Sequence, residues 1–259
     1  MQLGVNIDHI AVLREARKIN DPDPLDAVGI VKRAGGDQIT IHLREDRRHI
    51  NDDDARRIME NATLPINLEC ACDEAMIEIA CKLNPYRVTL VPEKREEVTT
   101  EGGLDLIKNF QKVDTIAKQL KDAHIELSVF IDPNAYQIKM AKSLQANWIE
   151  LHTGSYANIY AMLFSNLAKT KHSIDELELP RDALHIKLKN ALEELDQSAK
   201  SACSLGLKVA AGHGLNYQNV TNICAIKEIT ELNIGQSIIA RSIFCGLEQA
   251  IKDMRDLLV

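Results

Sequence analysis

Short apolar runs of strand length recur along the chain, each followed by a longer stretch whose apolar positions fall at helical spacing. The runs LGVNID (3–8), DQITIH (37–42), PINLE (65–69), YRVTLV (86–91), IELSVFID (125–132), NWIELH (147–152), LKVAAGH (207–213) and ITELNIG (229–235) predict eight strands. Several are close to continuously apolar, the pattern of parallel strands covered by helices. Helices are predicted over 24–34, 52–61, 73–83, 104–122, 134–143, 155–168, 183–204, 216–225 and 239–257. Ala34-Gly35-Gly36, Asn84-Pro85 and Leu205-Gly206 stand where helices must stop before a strand, and Asn51 and Asp73 where N-caps belong. Eight strand-then-helix units fill 1–259 with no second domain's worth of residues left over, which predicts a single α/β domain, a (β/α)8 TIM barrel. An open doubly wound sheet is the alternative, but it wants a glycine-rich turn after the first strand, and Asn6-Ile7-Asp8-His9 offers none. The stretch 155–206 exceeds what one helix needs, so an extra helical insertion is expected between strands six and seven, with the polar run 169–183 as a surface connection.

Composition narrows the class of partner. With 45% apolar and 27% charged residues, disordered, collagen-like and disulfide-scaffold classes are excluded. Lys plus Arg 31 against Asp plus Glu 38 leaves a formal charge of −7, which gives no general electrostatic reason to bind nucleic acid or an anionic membrane. No apolar run approaches the roughly 18 residues of a membrane span, and the opening MQLGVNIDHI lacks a basic segment followed by an apolar one, so a cytoplasmic protein is expected. Six cysteines without a C-x-x-C pair support neither a zinc site nor a redox motif.

Barrel chemistry is built where the βα loops converge, at the C-terminal ends of the strands. In order, those ends offer Asn6, Asp8 and His9; His42 and Arg44; Glu69; Pro92, Glu93 and Lys94; Asp132; Glu150 and His152; His213 between Gly212 and Gly214; and Gly235. Core packing alone predicts apolar or neutral residues there. His42, Glu69, Glu150 and His213 form a set able to take and give protons near neutral pH, because a carboxylate in a water-poor mouth titrates high and histidine titrates near 6.5. The same residue types bind hydrolytic metals, yet no H-x-H or H-E-x-x-H pair puts two ligands on one element, so no metal is expected. Gly235 opens a helix at once, and with Gly212 and Gly214 it predicts a phosphate cradle after strands seven and eight. In HLREDRRH (42–49), Arg44 and His49 can meet a second anion, whereas Arg47 and Arg48 fit a solvated loop laced with ion pairs. The polar loop 92–103, ending in Gly102-Gly103, has the composition of a lid.

GVNIDHIAVLREAR, ITIHLREDRRHI, LVPEKREEVTTEGGLD, AGHGLNYQNV and ELNIGQSIIARS together resemble the pyridoxine 5'-phosphate synthase family of vitamin B6 biosynthesis over nearly the whole chain. The resemblance implies a TIM barrel without metal or organic cofactor. It would condense 3-amino-2-oxopropyl phosphate with 1-deoxy-D-xylulose 5-phosphate to pyridoxine 5'-phosphate, phosphate and water. By position it implies proton acceptors at His42 and Glu69, a proton donor at His213 and a transition-state-stabilising carboxylate at Glu150. Aminoketone phosphate contacts fall on Asn6, Arg17, Gly214, Gly235 and Gln236, and deoxyxylulose phosphate contacts on Asp8, His9, Arg44, His49 and Thr99. It also implies a homo-octamer assembled from dimers, with Arg17 reaching a neighbour's site. The chain departs from the family pattern at Gln236, where His is usual, and in the long segment 158–185. The alternatives are a phosphosugar-binding barrel without catalysis and a metal-dependent aldolase or hydrolase on the same fold.

Overall fold

The computed structural model describes residues 1–93 and 102–258. Their eight strands, β1 (Gln2–Asn6), β2 (Gln38–His42), β3 (Ile66–Ala71), β4 (Arg87–Val91), β5 (Glu126–Ile131), β6 (Trp148–His152), β7 (Lys208–Gly212) and β8 (Glu231–Ile234), pair in parallel and in sequence order into a closed barrel. Closure of β8 onto β1, with Gln2 opposite Glu231, rules out the open doubly wound sheet.

The strands alternate rather than run apolar throughout. In β2, Ile39 and Ile41 are fully buried toward the helices, while Gln38, Thr40 and His42 point into the barrel, where they are buried as well. Bonds between strands that are not neighbours prove the inward direction: Thr40 on β2 donates to Asn233 on β8 (3.1 Å), and Arg87 on β4 reaches Glu231 on β8. Barrel interiors are usually filled by branched apolar side chains; here the filling includes Asn67, Arg87, Thr89, Ser128, Glu150, Glu231 and Asn233, all buried. Their burial is tolerable because most are hydrogen-bonded. Arg87 makes two 2.8 Å bonds to the Glu231 carboxylate, a third to Gln38 (2.9 Å), and stacks 4.0 Å over the Trp148 ring. The apolar core therefore lies between strands and helices, where each fully buried Leu, Ile or Val contributes about 1.5–3 kcal/mol.

The helices are α1 (Asp8–Glu15), α2 (Leu25–Arg33), α3 (Asp52–Asn61), α4 (Glu74–Leu83), α5 (Phe110–Asp122), α6 (Ala135–Ser143), α7 (Gly154–Phe164), α8 (Arg181–Ser204), α9 (Val220–Cys224), α10 (Gln236–Cys245) and α11 (Leu247–Arg255). Asn51 and Asp73 do cap α3 and α4, Asn51 in a reciprocal capping box with Asp54. The expected insertion between β6 and β7 is α7, two single turns (Leu167–Lys169 and Asp175–Leu177) and the 24-residue α8.

Several expected boundaries differ, four of them for a reason visible in the structure. The first strand ends at Asn6, not Asp8, and α1 follows directly; its buried face is Ile10, Ala11 and Arg14, and the arginine in an apolar slot hid the helical pattern. The helix expected from 104 begins at Phe110, because Asp105 accepts the backbone N–H groups of Ile107 and Lys108 and holds a turn there. The helix expected over 216–225 shrinks to Val220–Cys224, since the side chains of Asn216 and Asn219 accept the backbone N–H groups of Asn216, Gln218 and Asn219. The helix expected over 239–257 is two, broken at Gly246 with φ +81°, a conformation that suits glycine and ends α10.

Candidate active site

Register places the first pair of groups side by side, since His42 on β2 is directly opposite Glu69 on β3. Strand β3 continues to Ala71, so Glu69 lies inside the strand rather than at its end. His42 Nδ1 is 3.9 Å from Glu69 Oε2, and His42 Nε2 is 2.7 Å from Glu93 Oε1. The other oxygen of Glu93 accepts the backbone N–H of Glu45 (3.1 Å), so the glutamate bridges the loop after β2 and the imidazole. Asp8, in the first turn of α1, accepts the backbone N–H of His42 (2.9 Å) and the side-chain amide of Asn6 (2.8 Å). Arg14 holds this corner from behind, with both carboxylate oxygens of Asp54 (2.7 and 2.8 Å) and the backbone carbonyl of His49 (3.0 Å).

On the far side of the mouth, Glu150 of β6 accepts from the Asn233 amide (2.8 Å), and that amide nitrogen also faces Glu231 (3.3 Å). Gly212 on β7 makes room for the carboxylate: a Cβ there would lie 2.3 Å from Glu150 Oε1. His213 follows at φ +78°, a left-handed conformation costly for a residue with a side chain, of the kind that clusters at functional sites. Its ring lies 5.0 Å from that of His152 and 6.2 Å from Phe130. Asp132 holds His152 at Nδ1 (2.9 Å).

Burial, and next the charges of Glu150, Asp8 and Glu93, raise the Glu69 carboxyl well above its ordinary range. Burial, then Glu231, pushes Glu150 up to about 7, and burial raises Asp8 to about 6. Burial also works upward on Glu93, but the hydrogen bond and charge of His42 outweigh it, and Glu93 ends below its ordinary value. Burial, then the charge of His152, lowers His213 to about 4. His49 falls to about 3, first by burial and then by His42, and His9 is lowered by burial.

Most of the expected residues meet here. His42, Glu69, Glu150, His213, Asn6 and Asp8 line the barrel mouth; His9 sits in the first turn of α1 with its buried Nδ1 unbonded among the described residues. Arg44 is buried with Asp46 at 3.5 Å, and the His49 ring lies 6.0 Å from that of His42. Gly214 follows His213, and Gly235 and Gln236 open α10 beside Asn6. Arg47 and Arg48 pair with Asp52 and Asp46 at the surface, as a solvated loop requires. Arg17 lies exposed in the turn after α1. Thr99 and most of the loop 92–103 lie outside the described residues. Sequence reasoning left out Glu93, Asp132 and His152 from the site, although all three stood among the ionisable strand ends.

Asp8, His42 and His49 bring three donor atoms within 4.8 Å of one another, a cluster able to hold a metal ion. Each of the three also makes hydrogen bonds: Asp8 accepts two N–H bonds, His49 Nδ1 accepts the Ile50 backbone N–H (2.8 Å), and His42 Nε2 meets Glu93. The second nitrogen of each imidazole stays outside those bonds, so the same three residues fit either proton transfer or an ion.

The family Pyridoxal phosphate biosynthesis protein PdxJ matches residues 3–259. The chain belongs to the PdxJ family. A relative from Aliarcobacter butzleri (strain RM4018) named pyridoxine 5'-phosphate synthase is 63% identical, with 100% of this chain and 99% of the relative covered. A protein of the same name from Sulfurovum sp. (strain NBC37-1) is also 63% identical, with 100% of each covered. Among solved structures, phosphoribosyl anthranilate isomerase from Thermus thermophilus superposes with a TM-score of 0.57 at 12% identity, over 100% of this chain and 98% of that one. This second kind of likeness concerns the barrel alone. Within the PdxJ chain described here, no helix among the described residues is long and apolar enough to cross a membrane.

Proposed function

We infer that the chain is a pyridoxine 5'-phosphate synthase, a one-domain enzyme that condenses 3-amino-2-oxopropyl phosphate with 1-deoxy-D-xylulose 5-phosphate to pyridoxine 5'-phosphate, phosphate and water. The observation that carries the reading is the mouth: two imidazoles, His42 and His213, and two carboxyls, the partly buried Glu69 and the buried Glu150, raised out of the ordinary carboxylate range. A condensation of this kind needs several proton transfers in one place. The amine attacks a ketone, the carbinolamine loses water, phosphate leaves, and the ring closes and aromatises with loss of a second water; each stage moves a proton on or off carbon, nitrogen or oxygen. His42 and Glu69 accept protons, His213 takes one up and returns it to a departing oxygen, and Glu150 stabilises charge that develops between them. Neither metal nor organic cofactor is needed for these steps.

Both substrates carry phosphate. The aminoketone phosphate sits against Asn6, Gly214 and the opening turn of α10 at Gly235 and Gln236, where backbone N–H groups and the helix dipole favour an anion. Binding through the backbone N–H explains why Gln236 can stand where the family usually has His. The deoxyxylulose phosphate meets Asp8, His9, Arg44, His49 and Thr99. Arg17 completes the first phosphate site of a neighbouring subunit in a homo-octamer of dimers. Exposed Val12 and Leu13 on α1, and exposed Ile243 and Phe244 on α10, a helix that α1 touches, supply apolar surface for such contacts. The assembly works in the cytoplasm, without nucleic-acid or membrane partners. Purified protein given both substrates should form pyridoxine 5'-phosphate and free phosphate in equal amounts; folded protein that forms neither would overturn the reading.

A further inference from the structure

His42 lies between two carboxylates that do different work. Glu93 comes from just beyond β4 and has only 4% of its side chain exposed; it approaches Nε2 to 2.7 Å and is itself fixed by the Glu45 backbone N–H at 3.1 Å. Glu69 stands 3.9 Å from Nδ1, at a distance that leaves room for a substrate atom to share the proton. An ionised carboxylate has only acceptor positions, so the Glu93 contact requires a proton on Nε2 and leaves the Nδ1 lone pair toward Glu69. The opposite tautomer would set a lone pair against a negative oxygen at 2.7 Å.

We propose that Glu93 is the positioning residue of His42: by accepting the Nε2 proton it fixes the ring and makes Nδ1 the nitrogen that exchanges protons with substrate beside Glu69. The proposal deepens the synthase reading and rests on it. The proton path balances, since Nδ1 takes the proton that leaves substrate, Glu93 stabilises the imidazolium without taking a proton itself, and the same proton returns to a later intermediate or to water. Other charged groups face this set from every side. Asp8 touches the His42 backbone from α1, Arg44, Arg48 and His49 face it from the loop after β2, and Glu150 faces Glu69 across the mouth. Glu93 is the group in contact with the ring nitrogen.

Two variants test it against an active parent, so failure of the parent would concern the synthase reading and failure of the variants this inference. Glu93→Gln keeps the shape and removes the charge. Turnover should fall on the order of 100-fold, with KM for each substrate within about threefold of the parent. The ascending limb of the pH profile should move to lower pH by about one unit, because the imidazolium loses an adjacent anion. Glu93→Asp keeps a carboxylate one methylene shorter; it should return the limb to the parent position and recover part of the turnover. Turnover of Glu93→Gln within about threefold of the parent would overturn the proposal. A loss with the limb unmoved, or one that Glu93→Asp does not relieve, would show a packing role and overturn it equally.

Discussion

His42 and His213 stand in the same barrel mouth and are held in opposite ways. His42 is clamped through its backbone by Asp8 and through its ring by Glu93, with Glu69 beyond the other nitrogen, so carboxyl groups hold it on three sides. His213 has aromatic rings for neighbours, occupies a strained backbone conformation, and is pushed down to about 4 by burial and the adjacent His152. The first environment favours an imidazole that takes a proton; the second favours one that gives it up readily. Two residues of one chemistry are thereby set apart by their surroundings, the usual way in which acid and base roles are divided at a single pH.

The largest effect should come from removing a member of each half. Glu69→Gln and His213→Asn should each lower kcat by about two to four orders of magnitude while leaving the fold intact by circular dichroism. If one half of the mouth can be deleted with turnover within about tenfold of the parent, the division of labour fails on that side.

Next in size is the buried support beneath the second half. Glu231→Ala strands Arg87 without its anion inside the barrel and should destabilise the chain by about 3–5 kcal/mol in urea unfolding. Asn233 then loses a neighbour that shares its amide with Glu150, so surviving activity should fall through Glu150, with the ascending limb assigned to His42 unmoved. Equal stability of the variant would show that the polar filling of the barrel is incidental.

A smaller effect separates the halves by pH. The folded-state carboxyl of Glu150 is raised to about 7, so its contribution to stability is complete below the ordinary carboxylate range and is lost as pH rises through 7. His213, lowered to about 4, works the other way: its contribution is present above the ordinary histidine range and is lost as pH falls through 4. Glu150→Gln should therefore flatten the loss of stability between about pH 5 and 8, on the order of 1–3 kcal/mol, and leave the acid side unchanged. Parallel curves for parent and variant would contradict the raised carboxyl.

The smallest expected change is at Asp132, whose side chain is 55% exposed. Asp132→Asn weakens its hold on His152 and should lower kcat by about three- to tenfold, through His213 and not through His42. A shift in the limb assigned to His42 would show that the halves are coupled.

How much of this was legible in the sequence depended on where each residue lay. Strands could be read from short apolar runs, and their ends gave His42, Glu69, Glu150 and His213 because barrel topology gathers those ends into one mouth. The polar interior could not be read that way. In QITIH, a polar residue between two apolar ones looks like an interruption until closure of β8 onto β1 supplies its partner from a strand nearly two hundred residues away, as Asn233 does for Thr40 at 3.1 Å. Helix α1 was missed for a related reason: Arg14 occupies a buried position only because Asp54, forty residues on, pairs with it. Glu93 was visible as a charged residue after β4, yet nothing local distinguishes it from the charged residues that follow it in the sequence; its 2.7 Å contact with His42 exists only in three dimensions.

The central claim, that side chains of this mouth move the protons, meets its most direct test in a metal-stripped enzyme. Parent protein dialysed against chelator would be assayed with both substrates for pyridoxine 5'-phosphate and phosphate, before and after divalent cations are returned. The expected result is turnover within about twofold of untreated protein, unaffected by added cation. Activity that disappears on stripping and returns with a cation would contradict it, and would assign Asp8, His42 and His49 to a metal instead of to proton transfer.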